Sequence, residues 1–214
     1  MKISFIGTGL MGFPMAKNLL KKNLDLKIFS RTLDKSKPLE EFGGKIINSL
    51  SEAIIDSDII LTMLTDDDAV EKVLGNSDFL KNLKPSSTVI DMSSIKPKIA
   101  IKYGKLLKEN NINFLDAPVS GGTIGAEQGS LAIMVGGDQK TFDNAIDVLK
   151  IMGNPTLVGP IGSGQISKLA NQIIVGVTIG AVAEAITLCE KAGVDGNKFI
   201  KALSGGFADG KILQ

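Results

Sequence analysis

Short apolar runs alternate with helical patterns through the first 159 residues. The runs are KISFIG, DLKIF, KIIN, DIILTML, STVIDMS, NFLDAPV, LAIMVGG and TLVGP. Apolar positions at helical spacing separate them at residues 14–22, 51–56, 69–74, 97–110 and 140–152. Alternation at this spacing is typical of βαβ units and predicts a parallel sheet.

Several of these runs are apolar at consecutive positions rather than at alternate ones, as in DIILTML. A strand reads this way when helices cover both faces of its sheet. The pattern therefore predicts an α/β fold with a doubly wound, mostly parallel sheet.

The pattern changes after TLVGP. GPIGSG has the composition of a hinge, and a helical pattern then runs from residue 165 to 192, apolar on almost every side. Since no strand pattern follows, we predict a boundary near Gly162, with domains at residues 1–162 and 163–214, the second one all-α. Residues 173–189 are interrupted by Glu184 and fall short of the roughly 20 residues that a bilayer requires. We expect a buried helix covered by protein.

Composition narrows the function. Hydrophobic residues make up 43% and charged residues 22%, as in globular proteins. With a net charge of +1, the chain has no overall positive potential to attract the phosphates of a nucleic acid. Cys189 is the single cysteine and the N-terminus has no secretory pattern, so we expect a reducing cytoplasm. With no histidine, Ser-His-Asp triads and histidine zinc sites are excluded.

The first strand leads into GTGLMG, residues 7–12, which contains Gly7, Gly9 and Gly12, with Leu10 and Met11 between the last two glycines. A helix follows, with Pro14 in its first turn. Glycines at this spacing permit the turn, admit a pyrophosphate and let helix and strand pack closely. A simple tight turn is the alternative. The strand, motif and helix in this order predict a dinucleotide-binding Rossmann domain.

The end of the second strand discriminates between NAD and NADP. Ser30, Arg31 and Thr32 stand there, where NAD-binding chains carry a carboxylate about 20 residues after the glycines. An arginine and two hydroxyls suit a 2′-phosphate, which favours NADP(H). Asp34 is close enough in sequence to keep NAD(H) open, and Arg31 could be an ordinary solvated arginine.

Three further segments accompany the glycine motif: DMSSIKP, DAPVSGG and GSGQISKLANQ. Together with GTGLMGFPM they resemble the β-hydroxyacid dehydrogenases, the family of 3-hydroxyisobutyrate dehydrogenase, tartronate semialdehyde reductase and the glyoxylate/succinic semialdehyde reductases. The resemblance extends over essentially the whole chain. Members of that family continue for several more helices, so the helical domain is expected to be incomplete here.

The resemblance assigns roles to several residues. It implies that Ser120, Gly121 and Gly122 hold the substrate carboxylate. A hydroxyl with glycine N–H groups is a suitable anion-binding nest. The alternative is a plain Gly-Gly turn, which has the same sequence pattern. It makes Lys168 the catalytic acid/base and Asn171 a substrate-positioning residue one turn later. Without the resemblance, such a lysine is usually just solvated.

Three residues are secondary candidates for the cofactor site: Ser94, where the family commonly has threonine, and Leu64 and Thr65 after the fourth strand. The acidic run at residues 66–68 could indicate a metal. Because consecutive carboxylates converge poorly and helix N-termini attract them, we interpret the run as a solvated helix start and expect no metal.

The resulting prediction is an oxidoreductase, an NADPH-dependent reductase of a small carboxylate-bearing semialdehyde or keto acid, assembled as a homo-oligomer through its helical domain. Two alternatives remain: a module that binds NADP(H) without turnover, and an imine reductase-like enzyme. Imine reductases commonly replace the catalytic lysine, so Lys168 argues against the second.

Overall fold

The computed structural model describes residues 1–214 and divides into two compact units, Met1–Lys168 and Leu169–Gln214. The boundary predicted near Gly162 lies just before the last long helix. The first unit instead continues through the first turn of that helix to Lys168, because this turn is bonded to the sheet, as described below.

Nine strands form one sheet in the first unit. They are β1 (Lys2–Ile6), β2 (Asp25–Phe29), β3 (Lys45–Ile46), β4 (Ile59–Thr62), β5 (Thr88–Asp91), β6 (Asn113–Asp116), β7 (Val119–Ser120), β8 (Leu131–Gly136) and β9 (Gly153–Gly159). Their order is β3-β2-β1-β4-β5-β6-β8-β7, and β9 pairs with β8. The predicted doubly wound, mostly parallel sheet is confirmed.

The sheet is parallel from β3 to β6 and again between β8 and β9. β8 runs antiparallel to both β6 and β7. The sequence pattern did not predict β7 as a separate strand. Val119 ends the run NFLDAPV and Ser120 follows it, so composition alone does not reveal that β7 is separate from β6.

The helices of the first unit are α1 (Gly12–Leu20), α2 (Leu50–Ile54), α3 (Asp67–Leu74), α4 (Ser77–Asn82), α5 (Pro97–Glu109), α6 (Gly122–Gln128), α7 (Gln139–Met152) and the start of α8 (Ser163–Lys191). Two short 3₁₀ helices, Leu33–Lys35 and Lys37–Phe42, follow β2. The apolar pattern did not predict α4, α6 or the two 3₁₀ helices, because segments this short carry too few apolar positions to show a period.

Helices cover both faces of the sheet. Phe5 and Ile6, adjacent in β1, belong to two different buried clusters. Phe5 packs with Met15 and Leu19 of α1, whereas Ile6 shares its cluster with Tyr103 of α5. Successive side chains of a strand point to opposite faces, so this division places one core on each side of the sheet.

The second unit contains the rest of α8 and a short helix, α9 (Gly196–Ala202). The apolar side chains along α8 are exposed: Ile173 to 68%, Ile174 to 66%, Val177 to 68% and Leu188 to 70%. The expected burial of this helix is therefore not found within the chain, because one short helix cannot cover an apolar surface on every side. By length and composition alone, α8 could also cross a membrane, as core helices of soluble proteins often could.

Candidate active site

The turn between β1 and α1 packs so closely that two of its glycines are obligatory. Gly7 has φ +98°, and a Cβ there would overlap the carbonyl oxygen of Met63. A Cβ on Gly12 would overlap the carbonyl oxygen of Gly7. The Gly7 N–H donates to the Phe29 carbonyl at 2.8 Å. The turn is therefore held against the carboxyl ends of β2 and β4.

Gly9, in the same turn, faces open space instead. A Cβ there would meet no atom within 4 Å. The helix that follows begins at Gly12; Met11, at its N-cap position, makes no side-chain cap, and no acidic residue lies in the first turn. The Phe13 N–H donates to the Gly9 carbonyl at 3.0 Å, but no hydrogen bond occupies the N–H groups of Met11 and Gly12, which can bind an anion that approaches the backbone closely. The turn fits the pyrophosphate of a dinucleotide.

A cavity of about 560 Å³ opens at this turn, lined in part by Gly9 and Leu10. Three lysines, Lys17, Lys21 and Lys35, also line it. Sequence reasoning missed all three as binding candidates. Lys35 follows Arg31 by four positions, on the 3₁₀ helix after β2, and that spacing was the available signal.

The residues that follow β2 are accessible. Arg31 and Thr32 are exposed, and Ser30 is half-buried. The carboxylate of Asp34, which kept NAD(H) open, accepts from Lys37 Nζ at 2.7 Å. That hydrogen bond lowers the pKa of Asp34. Asp34 is therefore paired with a lysine on its own segment.

The loops after β4 and β5 lie on the edge of the sheet where the glycine turn lies, because β1, β4 and β5 are adjacent and parallel. Leu64 is half-buried, and its N–H donates to Ser93 Oγ at 2.9 Å. Thr65 is exposed and donates to Asp66, and Ser94 is exposed. All three predicted residues thus stand beside the turn at the carboxyl edge.

A buried carboxylate, Asp91, lies beneath these loops and was missed by sequence reasoning. Its Oδ1 accepts from Thr62 Oγ1 at 2.8 Å and from Ser93 Oγ at 2.6 Å, whereas its Oδ2 has no partner. Burial raises the pKa of Asp91 to about 6. In the sequence, Asp91 resembled an ordinary strand-end aspartate.

A second buried carboxylate, Asp116 at the end of β6, caps the start of α8. It accepts from the Gly162 N–H at 2.7 Å and from the Gln165 N–H at 2.9 Å. Burial raises the pKa of Asp116, although these backbone donors oppose that shift. The first turn of α8 is thereby bonded to the carboxyl edge of the sheet.

Lys168 is half-buried on the first part of α8. Burial lowers the pKa of its amine, and no charged neighbour contributes to the shift. A lysine in this state can donate and recover a proton more readily than a solvated one. Asn171 follows on the same helix, in the second unit, where its Nδ2 donates to Gln172 Oε1 at 2.9 Å.

The predicted carboxylate-binding residues lie where β7 ends, at Ser120, and where α6 begins, at Gly121 and Gly122. Ser120 is half-buried, and Gly121 and Gly122 are exposed with φ of +141° and +63°. Both angles lie where glycine is favoured. A Cβ on Gly122 would meet no atom within 4 Å, so the segment leaves space for a ligand.

The acidic run at residues 66–68 starts α3. Asp66 caps the helix by accepting from the Ala69 N–H at 2.8 Å, and Asp67 pairs with Lys96 Nζ at 2.6 Å. These carboxylates serve a helix terminus and an ion pair, in keeping with their interpretation as a helix start.

Comparison with known proteins gives two family matches. Residues 2–180 match the NAD binding domain of 6-phosphogluconate dehydrogenase, and residues 162–214 match the NAD-binding region of NADP-dependent 3-hydroxyisobutyrate dehydrogenase. The chain is 42% identical to 2-hydroxy-3-oxopropionate reductase of Escherichia coli strain K12, over all of this chain and 74% of that protein.

Two solved structures share the architecture. Mycobacterium tuberculosis 3-hydroxyisobutyrate dehydrogenase with L-serine superposes with a TM-score of 0.90 at 32% identity, over 99% of this chain and 72% of that one. An imine reductase from a Pseudomonas species gives a TM-score of 0.85 at 25% identity, over 95% and 70%.

The sheet, the glycine turn and the open helix start define a dinucleotide-binding oxidoreductase. With the matches above, the chain belongs to the β-hydroxyacid dehydrogenase family and is an NAD(P)-dependent oxidoreductase acting on CH–OH groups. The predicted family, fold and enzyme class are confirmed.

Proposed function

We propose that this enzyme uses NADPH to reduce a small aldehyde or keto acid that carries a carboxylate. The observation that carries the proposal is the half-buried amine of Lys168, with a lowered pKa, on a helix bonded to the same sheet edge as the glycine turn. The similarity to 2-hydroxy-3-oxopropionate reductase supports a semialdehyde acid as the substrate class.

The nicotinamide, when bound, supplies the hydride that reaches the carbonyl carbon. Lys168 in its ammonium form donates a proton to the carbonyl oxygen, which completes the alcohol and leaves a neutral amine. In the oxidative direction the neutral amine removes the hydroxyl proton. Ser120, Gly121 and Gly122 bind the substrate carboxylate, and Asn171 orients the substrate.

The preference for NADPH over NADH rests on charges near the end of β2. Arg31 and Thr32 are exposed, and Lys35 lines the cavity at the glycine turn. The carboxylate of Asp34 already has a cationic partner, Lys37, on its own segment. Ser30, Arg31, Thr32 and Lys35 therefore bind the 2′-phosphate through charge-assisted hydrogen bonds.

The direct test measures NADPH and NADH oxidation with a panel of semialdehyde acids and keto acids. We expect Lys168→Ala to lower kcat at least a hundredfold, since general acid–base catalysis contributes about 10² to 10⁴. Lys191→Ala, an exposed lysine at the other end of α8, is the matched control and should match the native enzyme. Turnover that survives Lys168→Ala would refute the proposed mechanism.

The same assay separates the alternatives. We expect Arg31→Ala to raise the KM for NADPH at least tenfold and to leave the KM for NADH nearly unchanged. Binding of NADPH without turnover of any substrate would favour a binding module. Reduction of cyclic imines in preference to acids would favour the imine reductase-like alternative, which the structural similarity to the Pseudomonas enzyme keeps in view.

We further propose that the enzyme is a cytoplasmic homo-oligomer, without a membrane or nucleic-acid partner. The exposed apolar side chains of α8 support the oligomer, because an apolar surface of this kind is normally covered by another subunit. The lone Cys189 supports a reducing compartment, the near-neutral charge argues against a nucleic-acid partner, and Glu184 within the apolar part of α8 argues against a membrane span.

A further inference from the structure

Gln165 joins α8 to the loop that follows β5. It lies three residues before Lys168 and is 1% exposed. Its Nε2 donates to the Ser93 carbonyl at 2.8 Å, and its Oε1 accepts from the Ile95 N–H at 3.1 Å. Both ends of the amide are thus used on one short segment, residues 93–95.

Ser93 extends this connection into the sheet. Its hydroxyl donates to Asp91 Oδ1 at 2.6 Å and accepts from the Leu64 N–H at 2.9 Å. Ser93, whose carbonyl accepts from Gln165, is therefore also hydrogen-bonded to the ends of β4 and β5. The end of β6 is connected to the same helix turn, because Asp116 accepts from the Gln165 N–H.

The position of Lys168 follows from these bonds. Residues three apart on a helix lie on nearly the same side, so the amine of Lys168 projects from the turn that Gln165 holds. The Asp116 cap holds the helix start, but it makes no bond to the loop after β5. The hydrogen bonds that join the start of α8 to residues 93–95, at the carboxyl edge beside the glycine turn, come from the side chain of Gln165.

We propose that Gln165 is a positioning residue for the reaction: its amide bridge to Ser93 and Ile95 sets the place of the Lys168 amine at the carboxyl edge of the sheet. This inference rests on the proposed function of Lys168. A displacement of about 1 Å of a catalytic group can lower a rate by about 10²-fold, so loss of the bridge should affect the chemical step.

The test compares three variants of the full chain. Gln165→Met removes both hydrogen bonds at similar volume, and Gln165→Glu keeps an acceptor for the Ile95 N–H but loses the donor to Ser93. Gln139→Met is the matched control, because Gln139 is an exposed glutamine on α7 bonded only to Asp143 of the same helix. Each is compared for kcat, KM, NADPH affinity and thermal midpoint, with Lys168→Ala in parallel.

A second measurement does not depend on turnover. Reductive methylation with ¹³C-formaldehyde lets NMR follow the titration of each lysine, and Lys168→Arg identifies the resonance of Lys168. In the native chain we expect a titration below that of the solvated lysines. In Gln165→Met it should move toward theirs, because an amine released from its place becomes more hydrated.

We expect Gln165→Met to lower kcat about tenfold to a hundredfold, with NADPH affinity as in Gln139→Met, and Gln165→Glu to lie between. The thermal midpoint of Gln165→Met should fall below that of Gln139→Met, because the Ser93 carbonyl and the Ile95 N–H lose their buried partner. The inference is overturned if Gln165→Met keeps the native kcat, if the titration of Lys168 in that variant stays native, or if kcat falls only in proportion to the folded fraction. If Gln165→Met does not fold, Gln165→Glu decides by the same two readouts.

Failure of the proposed function has a different signature. If Lys168→Ala retains turnover, the acid/base role itself is wrong. If Lys168→Ala loses turnover while Gln165→Met keeps it, only the positioning role is wrong. If the chain shows no turnover with any substrate, the titration of Lys168 alone decides the inference.

Discussion

At the residue scale, the glycine turn combines positions that packing requires with one that packing leaves open. Gly7 and Gly12 are each surrounded by backbone atoms, so a side chain there would displace the chain. Gly9 has free space around it, and the need for glycine there comes from the ligand. The folded protein and its cofactor thus place different demands on one short motif.

This difference predicts opposite outcomes for two alanine variants. Gly9→Ala should keep the native thermal midpoint but lower NADPH affinity at least tenfold, because its methyl group enters the space of the pyrophosphate. Gly12→Ala should lower the thermal midpoint or prevent soluble expression, since its Cβ overlaps the Gly7 carbonyl. Thermal unfolding and fluorescence titration measure both. Native NADPH affinity in Gly9→Ala would contradict the placement of the pyrophosphate.

Asp91 predicts a pH dependence of stability. Its folded pKa of about 6 is above the ordinary 3.8, so between these values the folded state binds more protons than the unfolded state. Stability therefore falls as pH rises through this window, by an amount on the order of 3 kcal/mol, and levels off above it.

The Asp91→Asn variant tests this prediction. Asparagine keeps the oxygen that accepts from Thr62 and Ser93 and removes the ionisation. Urea unfolding between pH 4 and pH 7 should show a smaller fall in stability than the native protein shows; the contribution of Asp116, which has the same sign, remains in both. Equal slopes would mean that Asp91 does not titrate in this range.

At the element scale, the helices differ in whether a side chain of their own segment caps the first turn. Ser49, Asp66, Asn76, Asp138 and Asp195 each cap their own helix with a side-chain oxygen. Such caps are local, so they are readable from sequence. The start of α1 has no such cap, and the start of α8 takes its cap from Asp116, a residue on β6. The start of α6, where the substrate carboxylate is proposed to bind, and the start of α5 also lack a side-chain cap. The proposed reaction uses the starts of α1, α6 and α8, none of which is capped by a side chain of its own segment.

The limits of sequence prediction also appear at this scale. The long helices α5 and α7 and the buried strands β4 and β5 were predicted because each spans enough residues for its apolar pattern to show. The seven residues of α6, GTIGAEQ, contain two glycines and few apolar positions, so no local signal marks them as helical. Contacts with the sheet decide their conformation.

At the scale of the whole molecule, the exposed apolar surface of α8 predicts self-association. Light scattering should give a mass above the 22.6 kDa of a single chain. Substituting Ile174 and Val177 together by lysine should shift the protein toward the monomer, because charged side chains would have to be desolvated at the interface. Val158→Lys, on β9, serves as a control outside α8. A native protein that is monomeric at every concentration would refute the homo-oligomer.

The sequence by itself determined the parallel sheet, the glycine turn, the candidate lysine and the family, because these depend on local periodicity or on motifs of a few consecutive residues. Tertiary structure alone decided the antiparallel β7, the buried state of Asp91 and the bonds of Asp116 and Gln165. The bonds of Asp116 to α8 join positions 46 and 49 residues apart, and that of Gln165 to Ser93 joins positions 72 apart. No local pattern encodes such a distance; it is set when the strand ends and the helix start meet at one edge of the sheet.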